Sequence, residues 1–280
     1  MSVKRMLGFT FQNTTGGNID LQSVVAKSNG EVEAGDGDFK IWWWSTQAGN
    51  LGNKYAVWSN YWYDPSDPDA NEDGYVDADG DTSKYCWVVP ESEDEDADPY
   101  IYPTKWNKTF APGEAFFITA AVASPSFTIS GQVLAADPLD EYFEVALTMS
   151  QKRLMGNPFP VAWDLQSAVA YSDGDIEAGD GDFKIWWWST QTGNLGNKYA
   201  VWSNYWYDPL DPNANEDGYV EAEDESDFCW IVPESEDEDA DPYIYPTKWE
   251  KTFAIGEGFF VTPAVLNPSI MFPNPLYVAP

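Results

Sequence analysis

The sequence contains no histidine, and only 14 of its 280 residues are lysine or arginine. The absence of histidine removes the side chain that most often moves protons or ligates transition metals near neutral pH. The chain carries 47 Asp and Glu residues and a formal net charge of −33. This charge argues against nucleic acid as a partner, because such binding depends on Lys and Arg that neutralise phosphates. It argues equally against an anionic membrane surface.

Long apolar runs are missing as well. No segment reaches the roughly 18 consecutive apolar residues of a membrane span, so we expect no membrane insertion. The N-terminus, MSVKRMLGFTFQ, lacks the apolar region of a signal peptide. Either the protein is not exported by that route, or the numbering is that of a processed chain.

Cysteine is nearly absent, with Cys86 and Cys229 at matching places in KYCWVV and DFCWIV. A buried free thiol in each copy would explain the pair, and so would a disulfide between subunits. The scarcity of sulfur and imidazole ligands disfavours zinc and copper.

Signatures of catalysis are absent from the sequence: there is no Gly-x-Ser-x-Gly, no P-loop and no dinucleotide fingerprint. An enzyme would have to work through carboxylate pairs, as glycoside hydrolases do. The abundance of Asp and Glu removes the specificity of that signal. We therefore expect a protein that is not an enzyme and has no catalytic residues.

The sequence is nonetheless that of a folded protein, since 43% of its residues are hydrophobic. A compact body with so much negative charge repels itself unless cations bind to it. The composition therefore indicates divalent metal, high salt or both.

An internal repeat of about 145 residues dominates the chain. Residues 33–65 match residues 177–209 with one change, Ala48 against Thr192, and the match continues through PESEDEDADPYIYPTKW in both copies. The repeat predicts two homologous modules, residues 1–138 and 139–280.

Short runs rich in aromatic and β-branched residues, such as FKIWWW, KYAVWSNYWY and AFFITAAV, alternate with Gly, Pro, Asn and Asp clusters. This pattern is typical of β-strands and turns. We predict an all-β fold of two tandem β-sandwich modules, jelly-roll-like, with long acidic loops.

The second repeat begins with KRLMGNPFPVAWDL and has Ile255 near its end, whereas the first begins with MLGFTFQN and has Pro112-Gly113 near its end. These ends resemble a β-module of bacterial secreted and cell-surface proteins, which opens with L-x-G-N-P-[FY]-P and closes with P-G-x-G-[FY]-[FW]-V. The second copy matches the opening in full but has Ile255 at the closing proline, and the first copy lacks the N-P-F-P but keeps the closing Pro-Gly. The resemblance implies export to the cell surface or the extracellular space and a structural or adhesive role.

Each copy also contains an acidic loop, DPDANEDGYVDADGD from Asp67 and DPNANEDGYVEAEDE from Asp211. Oxygen ligands at positions 1, 3, 5, 7, 9 and 12 with Gly at position 6 are typical of an EF-hand or dockerin calcium loop. Position 12 of the first copy is Gly80, so Asp79 or Asp81 would have to serve there. The predicted structural Ca²⁺ ligands are Asp69, Asn71, Asp73, the Tyr75 carbonyl, Asp77, Asp79, Asp81, Asn213, Asn215, Asp217, the Tyr219 carbonyl, Glu221 and Asp224.

Two further acidic patterns in each copy could bind additional metal or form solvated loops: the GDGDF turns and the ESEDEDADP runs. Their candidate ligands are Asp36, Asp38, Asp180, Asp182, Glu93, Asp94, Asp96, Asp98, Glu236, Asp237, Asp239 and Asp241.

The strand DGDFKIWWWSTQ, found in both copies, carries three successive tryptophans. Because side chains alternate between the faces of a strand, Trp43 is predicted in the core and Trp42 and Trp44 on the outer face. A loop of the same module, a neighbouring subunit or a polysaccharide could cover the outer tryptophans. The predicted interface or glycan residues are Trp42, Trp44, Trp62, Trp186, Trp188 and Trp206.

Three functions fit the sequence. The first is a self-assembling structural subunit of an extracellular filament, sheath or surface layer, a homopolymer stabilised by calcium. The second is a calcium-dependent carbohydrate-binding or adhesion protein, and the third is a viral capsid or fibre protein. In the second module the strand-like EYFEVALT comes before Met149, whereas the first module begins at the equivalent of Met149. A strand from another subunit, for example the C-terminal PNPLYVAP, could therefore complete the first module by β-augmentation.

Overall fold

The computed structural model describes most of the chain. The described residues are 3–8, 11–12, 17–32, 38–45, 52–78, 80–92, 94, 96–130, 132–133, 142–157, 159, 161–176, 182–189, 196–224, 227–235, 239 and 242–275.

The chain divides into two compact units, Met1–Leu134 and Ala135–Pro280. We call them unit 1 and unit 2. The division predicted at residue 138 falls among residues 134–141, which lie outside the described residues.

The described residues of unit 1 form short strands and the 3₁₀ turn Leu21–Ser23. The strands are β1 (Val3–Gly8), β2 (Phe11–Gln12), β3 (Ile19–Asp20), β4 (Val24–Ser28), β5 (Glu31–Val32), β6 (Phe39–Ser45), β7 (Gly52–Ser59), β8 (Tyr61–Tyr63), β9 (Tyr75–Asp77), β10 (Cys86–Val88), β11 (Thr109–Phe110), β12 (Ala115–Ala120), β13 (Pro125–Ile129) and β14 (Gln132–Val133).

Unit 2 contains the 3₁₀ turn Leu165–Ser167 and a similar series of strands. These are β15 (Tyr142–Ala146), β16 (Arg153–Gly156), β17 (Trp163–Asp164), β18 (Val169–Ser172), β19 (Asp175–Ile176), β20 (Phe183–Ser189), β21 (Gly196–Ser203), β22 (Tyr205–Tyr207), β23 (Tyr219–Glu221), β24 (Cys229–Ile231), β25 (Thr252–Phe253), β26 (Gly258–Pro263) and β27 (Ser269–Pro273). The predicted all-β class is confirmed.

Each unit has a five-stranded antiparallel sheet, in the order β1-β12-β6-β7-β10 in unit 1 and β16-β26-β20-β21-β24 in unit 2. A smaller sheet has the order β13-β4-β5 in unit 1 and β15-β27-β18-β19 in unit 2. The hairpins β8-β9 and β22-β23 carry the acidic loops.

The five-stranded and three-stranded sheets of unit 1 enclose its main hydrophobic core. Along β6, Phe39, Ile41 and Trp43 are buried in alternation with more accessible residues, which is the period-two pattern of a half-buried strand. The Phe39 ring meets Phe127 of the smaller sheet edge to face, with centroids 5.3 Å apart. Unit 1 is therefore a β-sandwich.

Unit 2 is built in the same way. The Trp163 ring packs against Phe259 of the large sheet at 5.4 Å and against Phe272 of the small sheet at 5.1 Å. Aromatic rings from both sheets thus share one core, as in unit 1.

A glutamine in the 3₁₀ turn joins several backbone segments of unit 1. The Gln22 amide donates to the carbonyls of Trp87 and Trp106 at 2.7 and 3.0 Å, and its oxygen accepts from the Trp87 N–H at 2.9 Å. The buried Trp87 indole N–H donates to the Val24 carbonyl at 2.7 Å, which links the large sheet to the small one. Unit 2 repeats this arrangement with Gln166, Trp230 and Ala168.

We expect Gln22→Ala to lower the free energy of unfolding of unit 1 by about 2–3 kcal/mol. The substitution leaves the Trp87 N–H without its partner and removes a donor from two carbonyls, and an unsatisfied buried group costs about 1–3 kcal/mol. Urea denaturation monitored by tryptophan fluorescence measures the change, with the exposed Glu31→Gln as the control. A loss below about 0.5 kcal/mol, the range of ordinary surface substitutions, would contradict the structural role of Gln22.

Candidate functional site

The acidic loop of unit 1 begins in the turn between β8 and β9 and continues through β9 to Asp81. In the turn, its side-chain oxygens accept hydrogen bonds from the backbone. Asp67 Oδ1 accepts from the Asp69 N–H at 3.0 Å. Asn71 Oδ1 accepts from the N–H groups of Asp73 and Tyr75 at 3.0 and 2.9 Å. These are Asx turns, in which a side chain imitates a backbone turn.

The loop of unit 2 has the same geometry. Asp211 Oδ1 accepts from the Asn213 N–H at 2.9 Å, and Asn215 Oδ1 accepts from the N–H groups of Asp217 and Tyr219 at 3.0 Å each. The repeated sequence therefore folds into a repeated local structure.

The glycine at loop position 6 is required by the backbone. Gly74 has φ +84° and Gly218 has φ +86°, a left-handed conformation that side chains rarely adopt. A Cβ at Gly74 would also lie 2.9 Å from Cε2 of Tyr63. The turn at this position of the predicted calcium loop is therefore a tight one.

The predicted ligands that the structure describes do not come together as a set of carboxylates. Among the described residues, no group of three or more Asp, Glu, Cys or His side chains is arranged to hold a metal ion. Asp69 binds the Lys84 ammonium at 2.6 Å. Asp81 accepts from the hydroxyl of Ser83 at 2.6 Å, which lowers the pKa of the Asp81 carboxyl. Asp79 lies outside the described residues.

The two loops differ at one charged pair. Asp69 and Lys84 of unit 1 correspond to Asn213 and Asp227 of unit 2. The ion pair of unit 1 is therefore replaced by an amide and a carboxylate, and Asp227, Glu221 and Asp224 are all exposed. Unit 2 thus carries one more negative charge at these two positions and has no ammonium that competes with a cation there.

The additional acidic candidates remain dispersed in the described part of the chain. Asp94, Asp96, Asp98 and Asp239 are exposed, and Asp94 Oδ1 caps the Asp96 N–H at 3.0 Å. Asp38 and Asp182 are partly buried in the turns before β6 and β20. The other predicted ligands, Asp36, Asp180, Glu93, Glu236, Asp237 and Asp241, lie outside the described residues.

The tryptophans of β6 and β20 separate as alternation predicted. Trp43 is 5% exposed, whereas Trp44 is 51% and Trp188 is 54% exposed. Trp42 is half-buried and stacks on Tyr55 of β7 at a centroid distance of 4.6 Å. Trp186 stacks on Tyr199 at the same distance.

The prediction that Trp62 and Trp206 belong to an exposed platform is wrong. Trp62 is 1% and Trp206 is 3% exposed, and the Lys105 and Lys248 ammonium groups lie over their rings at 4.3 and 4.1 Å. The chain bends at Asn60, so β8 forms a hairpin with β9 instead of continuing β7. The side-chain alternation of β7 therefore does not extend to Trp62.

A ladder of tyrosines was not anticipated from the sequence. Tyr61 stacks on Tyr75 at 5.0 Å and Tyr63 stacks on Tyr102 at 4.5 Å. Unit 2 repeats the ladder with Tyr205, Tyr219, Tyr207 and Tyr245. Desolvation, followed by the charge of Glu91, raises the pKa of Tyr61. The signal in the sequence is the tyrosine-rich YWY, GYV and YIYP, which occur in both copies. The rings of these three segments stack on one another in each unit.

Both cysteines are free and buried. Desolvation raises the pKa of Cys86 and of Cys229 to about 12, so neither thiol forms a reactive thiolate at neutral pH.

None of the helices in the described part of the chain has the length and apolar character that crossing a membrane requires. Comparison with protein-family models, with curated proteins and with solved structures gave no match.

We expect the free energy of unfolding to fall as the pH rises from about 9 to 12. Each thiol pKa is raised in the folded protein from its ordinary value of 9.0 to about 12, so folding favours the protonated thiol. This stabilisation is complete below pH 9 and is lost through the window up to 12. Urea denaturation at several pH values measures the slope.

The matched variant for this experiment is Cys86→Ala with Cys229→Ala. Its alkaline slope should be shallower than that of the unmodified protein, and the part that remains should come from tyrosines such as Tyr61 and Tyr75, whose pKa values are also raised. Equal slopes in the two proteins would contradict the assignment to the thiols.

Proposed function

We propose that the protein is a self-assembling structural subunit of an extracellular filament, sheath or surface layer, with calcium bound in its acidic loops. The observation that carries this proposal is the half-exposure of Trp44 and Trp188 at the same position of two repeated units. The protein has no catalytic role in this proposal.

The energetic argument concerns the area of the indole ring. A tryptophan buries about 150–250 Å², which at about 25 cal/mol/Å² corresponds to about 4–6 kcal/mol. Covering the exposed half of Trp44 or Trp188 is thus worth about 2–3 kcal/mol. Two such patches on one chain support contacts between unlike units of different copies, and a head-to-tail contact of this kind continues into an open polymer.

The charge of the chain supports the calcium component. Assembly would bring molecules with a formal charge of −33 into contact, and bound Ca²⁺ would reduce their repulsion. Hard carboxylate and amide oxygens are the ligands that calcium prefers. In unit 1 calcium would have to displace Lys84 from Asp69, whereas unit 2 has Asn213 and Asp227 at those positions. We therefore place the tighter site in the loop of unit 2.

Carbohydrate binding is the second candidate. Trp42 and Trp44 lie on the same face of β6 by strand alternation, and the indole of Trp42 is already held flat against Tyr55. Aromatic side chains of this kind present an apolar body with a polar edge, which suits a polysaccharide. Carbohydrate binding would use the same tryptophan surface as self-assembly, so an experiment has to distinguish the two functions.

We expect Ca²⁺ to bind in the loop of unit 2 with a dissociation constant of about 10⁻⁴ to 10⁻³ M, the range of extracellular modules. Asp217→Asn should weaken that binding at least tenfold, because it removes a predicted ligand charge. The matched control is Glu216→Gln, an exposed neighbour outside the ligand frame. Isothermal titration calorimetry measures both variants. Equal binding by the two variants, or no heat from the unmodified protein, would contradict the site.

We expect Trp44→Ala with Trp188→Ala to abolish assembly in millimolar calcium without lowering the thermal midpoint, since both side chains are half in solvent. Negative-stain electron microscopy and light scattering measure the assemblies. The control is Asn53→Ala with Asn197→Ala, which changes the cross-strand partners of the two tryptophans.

Monodisperse monomers of the unmodified protein in millimolar calcium would refute the assembly proposal. If a polysaccharide array binds the unmodified protein but not the tryptophan variant, while assembly is unchanged, carbohydrate binding takes its place.

A further inference from the structure

The small sheets of the two units differ at one edge. In unit 2, β27 lies between β15 and β18, with Phe143 opposite Phe272 and Val145 opposite Ile270. In unit 1 the corresponding strand is β13, which pairs with β4 on one side. No described strand of unit 1 lies along its other side.

The correspondence of β13 and β27 follows from both sequence and register. The dipeptide Pro-Ser begins the match at Pro125 and at Pro268. Phe127 pairs with Ala26 in unit 1, and Ile270 pairs with the equivalent Ala170 in unit 2. Phe127 therefore corresponds to Ile270, and by the same offset Ile129 corresponds to Phe272.

The accessibility of the two strands differs at these same positions. Ile270 and Phe272 are fully buried and Ser269 is buried. Their counterparts Phe127 and Ile129 are only half-buried, and Ser126 is exposed. Among the described residues, the edge that β15 covers in unit 2 is thus left accessible in unit 1.

The backbone of β13 offers hydrogen bonds toward the open side. In unit 2 the Leu147 N–H donates to the Pro268 carbonyl at 2.7 Å, so Pro268 and every second residue after it face β15. The equivalent residues Pro125, Phe127 and Ile129 face the open edge of unit 1. An edge of this kind is a template for an additional strand.

The strand β15 shows what such an edge accepts. Val145 is buried, and the Phe143 ring is half-buried and packs edge to face on Phe159 at 5.9 Å. Glu144 and Ala146 between and after them are exposed. The edge therefore takes two apolar side chains two residues apart in an extended segment.

The order of the chain indicates which segment supplies this pattern. The chain that follows the last strands of unit 1 supplies β15 to the edge of β27. The chain that follows β27 includes Leu276-Tyr277-Val278-Ala279-Pro280, which lies outside the described residues. It has no charged side chain and carries Leu276 and Val278 at the spacing of Phe143 and Val145. Its flanking prolines, Pro275 and Pro280, are tolerated at the ends of an edge strand.

We propose that residues 276–280 of one copy add as an antiparallel strand to the open edge of β13 in a second copy. This inference rests on the proposed self-assembly and names its contact. The two residues between β27 and the donated segment span about 7 Å when extended. Unit 2 of the donor must therefore touch unit 1 of the acceptor, and the contact continues head to tail.

The register follows from unit 2. Val278 lies opposite Phe127 and Leu276 opposite Ile129, with both side chains toward the core. Ala279 then lies opposite Ser126 on the outer face, at the position equivalent to Ala146 opposite Ser269. Such a pair in an antiparallel ladder has its Cα atoms about 4.5 Å apart, within the range of a disulfide.

The first experiment joins this pair covalently. Under mild oxidation, Ser126→Cys with Ala279→Cys should give a ladder of disulfide-linked multimers on a non-reducing gel. Cys86 and Cys229 do not interfere, because they are buried and their thiol pKa values are about 12. The control, Ser126→Cys with Val278→Cys, points its two thiols to opposite faces and should give no ladder. A disulfide within one monomer, or equal cross-linking of the two variants, would overturn the inference.

The second experiment removes and restores the donated segment. The chain ending at Pro275 should remain monomeric in millimolar calcium, with the urea transition of unit 2 unchanged. The peptide of residues 274–280 should bind it one to one and raise its thermal midpoint. The same peptide with Val278→Asp should bind at least tenfold more weakly.

The outcomes separate this inference from the proposed function. If the shortened chain polymerises as well as the full chain, the strand contact is refuted while self-assembly stands. If the full chain stays monomeric, self-assembly is refuted. Peptide binding to the shortened chain would then show an open edge that does not lead to a polymer, and the absence of peptide binding would refute the edge itself.

Discussion

The hydrogen bond from the buried Trp87 indole to the Val24 carbonyl is the interaction on which each sandwich depends. It crosses from the large sheet to the small one at 2.7 Å, and its counterpart from Trp230 to Ala168 measures 2.8 Å. A fully buried indole without a partner would destabilise the core by the cost of an unsatisfied donor. Gln22 of the 3₁₀ turn binds the backbone of the same tryptophan. Trp87 therefore links the two sheets through its indole and holds β10 in place through its backbone. The acidic loop leads into β10, and its position follows from this arrangement.

The sequence was informative where strands are long and regular. The seven-residue β6 keeps its alternation, so the core position of Trp43 and the outer position of Trp44 were predicted correctly. The sequence was misleading at Trp62, because the bend at Asn60 starts a separate hairpin whose faces are independent of those of β7.

The carboxylates were difficult to predict for a different reason. The spacing of the sequence gives the order of the candidate ligands. In the folded loop, however, the Asn71 oxygen accepts from backbone N–H groups and the Asp69 carboxylate binds Lys84. The spacing alone does not show whether an oxygen has such a partner or binds a cation. The calcium site therefore stays a prediction. The tyrosine ladder needed the pairing of β8 with β9, which residue order does not reveal.

Each unit has its own core built from the same interactions, and two of the surface differences between the units bear on assembly. The glutamine, the tryptophans and the tyrosine ladder are repeated with nearly the same distances, since these groups determine whether each sandwich folds. These two differences are the exchange of Lys84 for Asp227 beside the acidic loop and the accessible edge of β13 in place of the covered edge of β27. In the proposed assembly, the first difference would give the two acidic loops different affinities for calcium, and the second would let unit 1 accept a strand that unit 2 already has.

The paired indoles in each core have an optical consequence. Trp58 and Trp87 lie 5.2 Å apart with their planes inclined at 54°, and Trp202 and Trp230 lie 5.2 Å apart at 53°. Chromophores this close and mutually tilted share their electronic excitations, which produces a pair of circular-dichroism bands of opposite sign. The two pairs match in centroid distance and in interplanar angle, so both units contribute bands of this kind. Circular dichroism of these tryptophan pairs therefore reports whether the two cores are folded, without any added label.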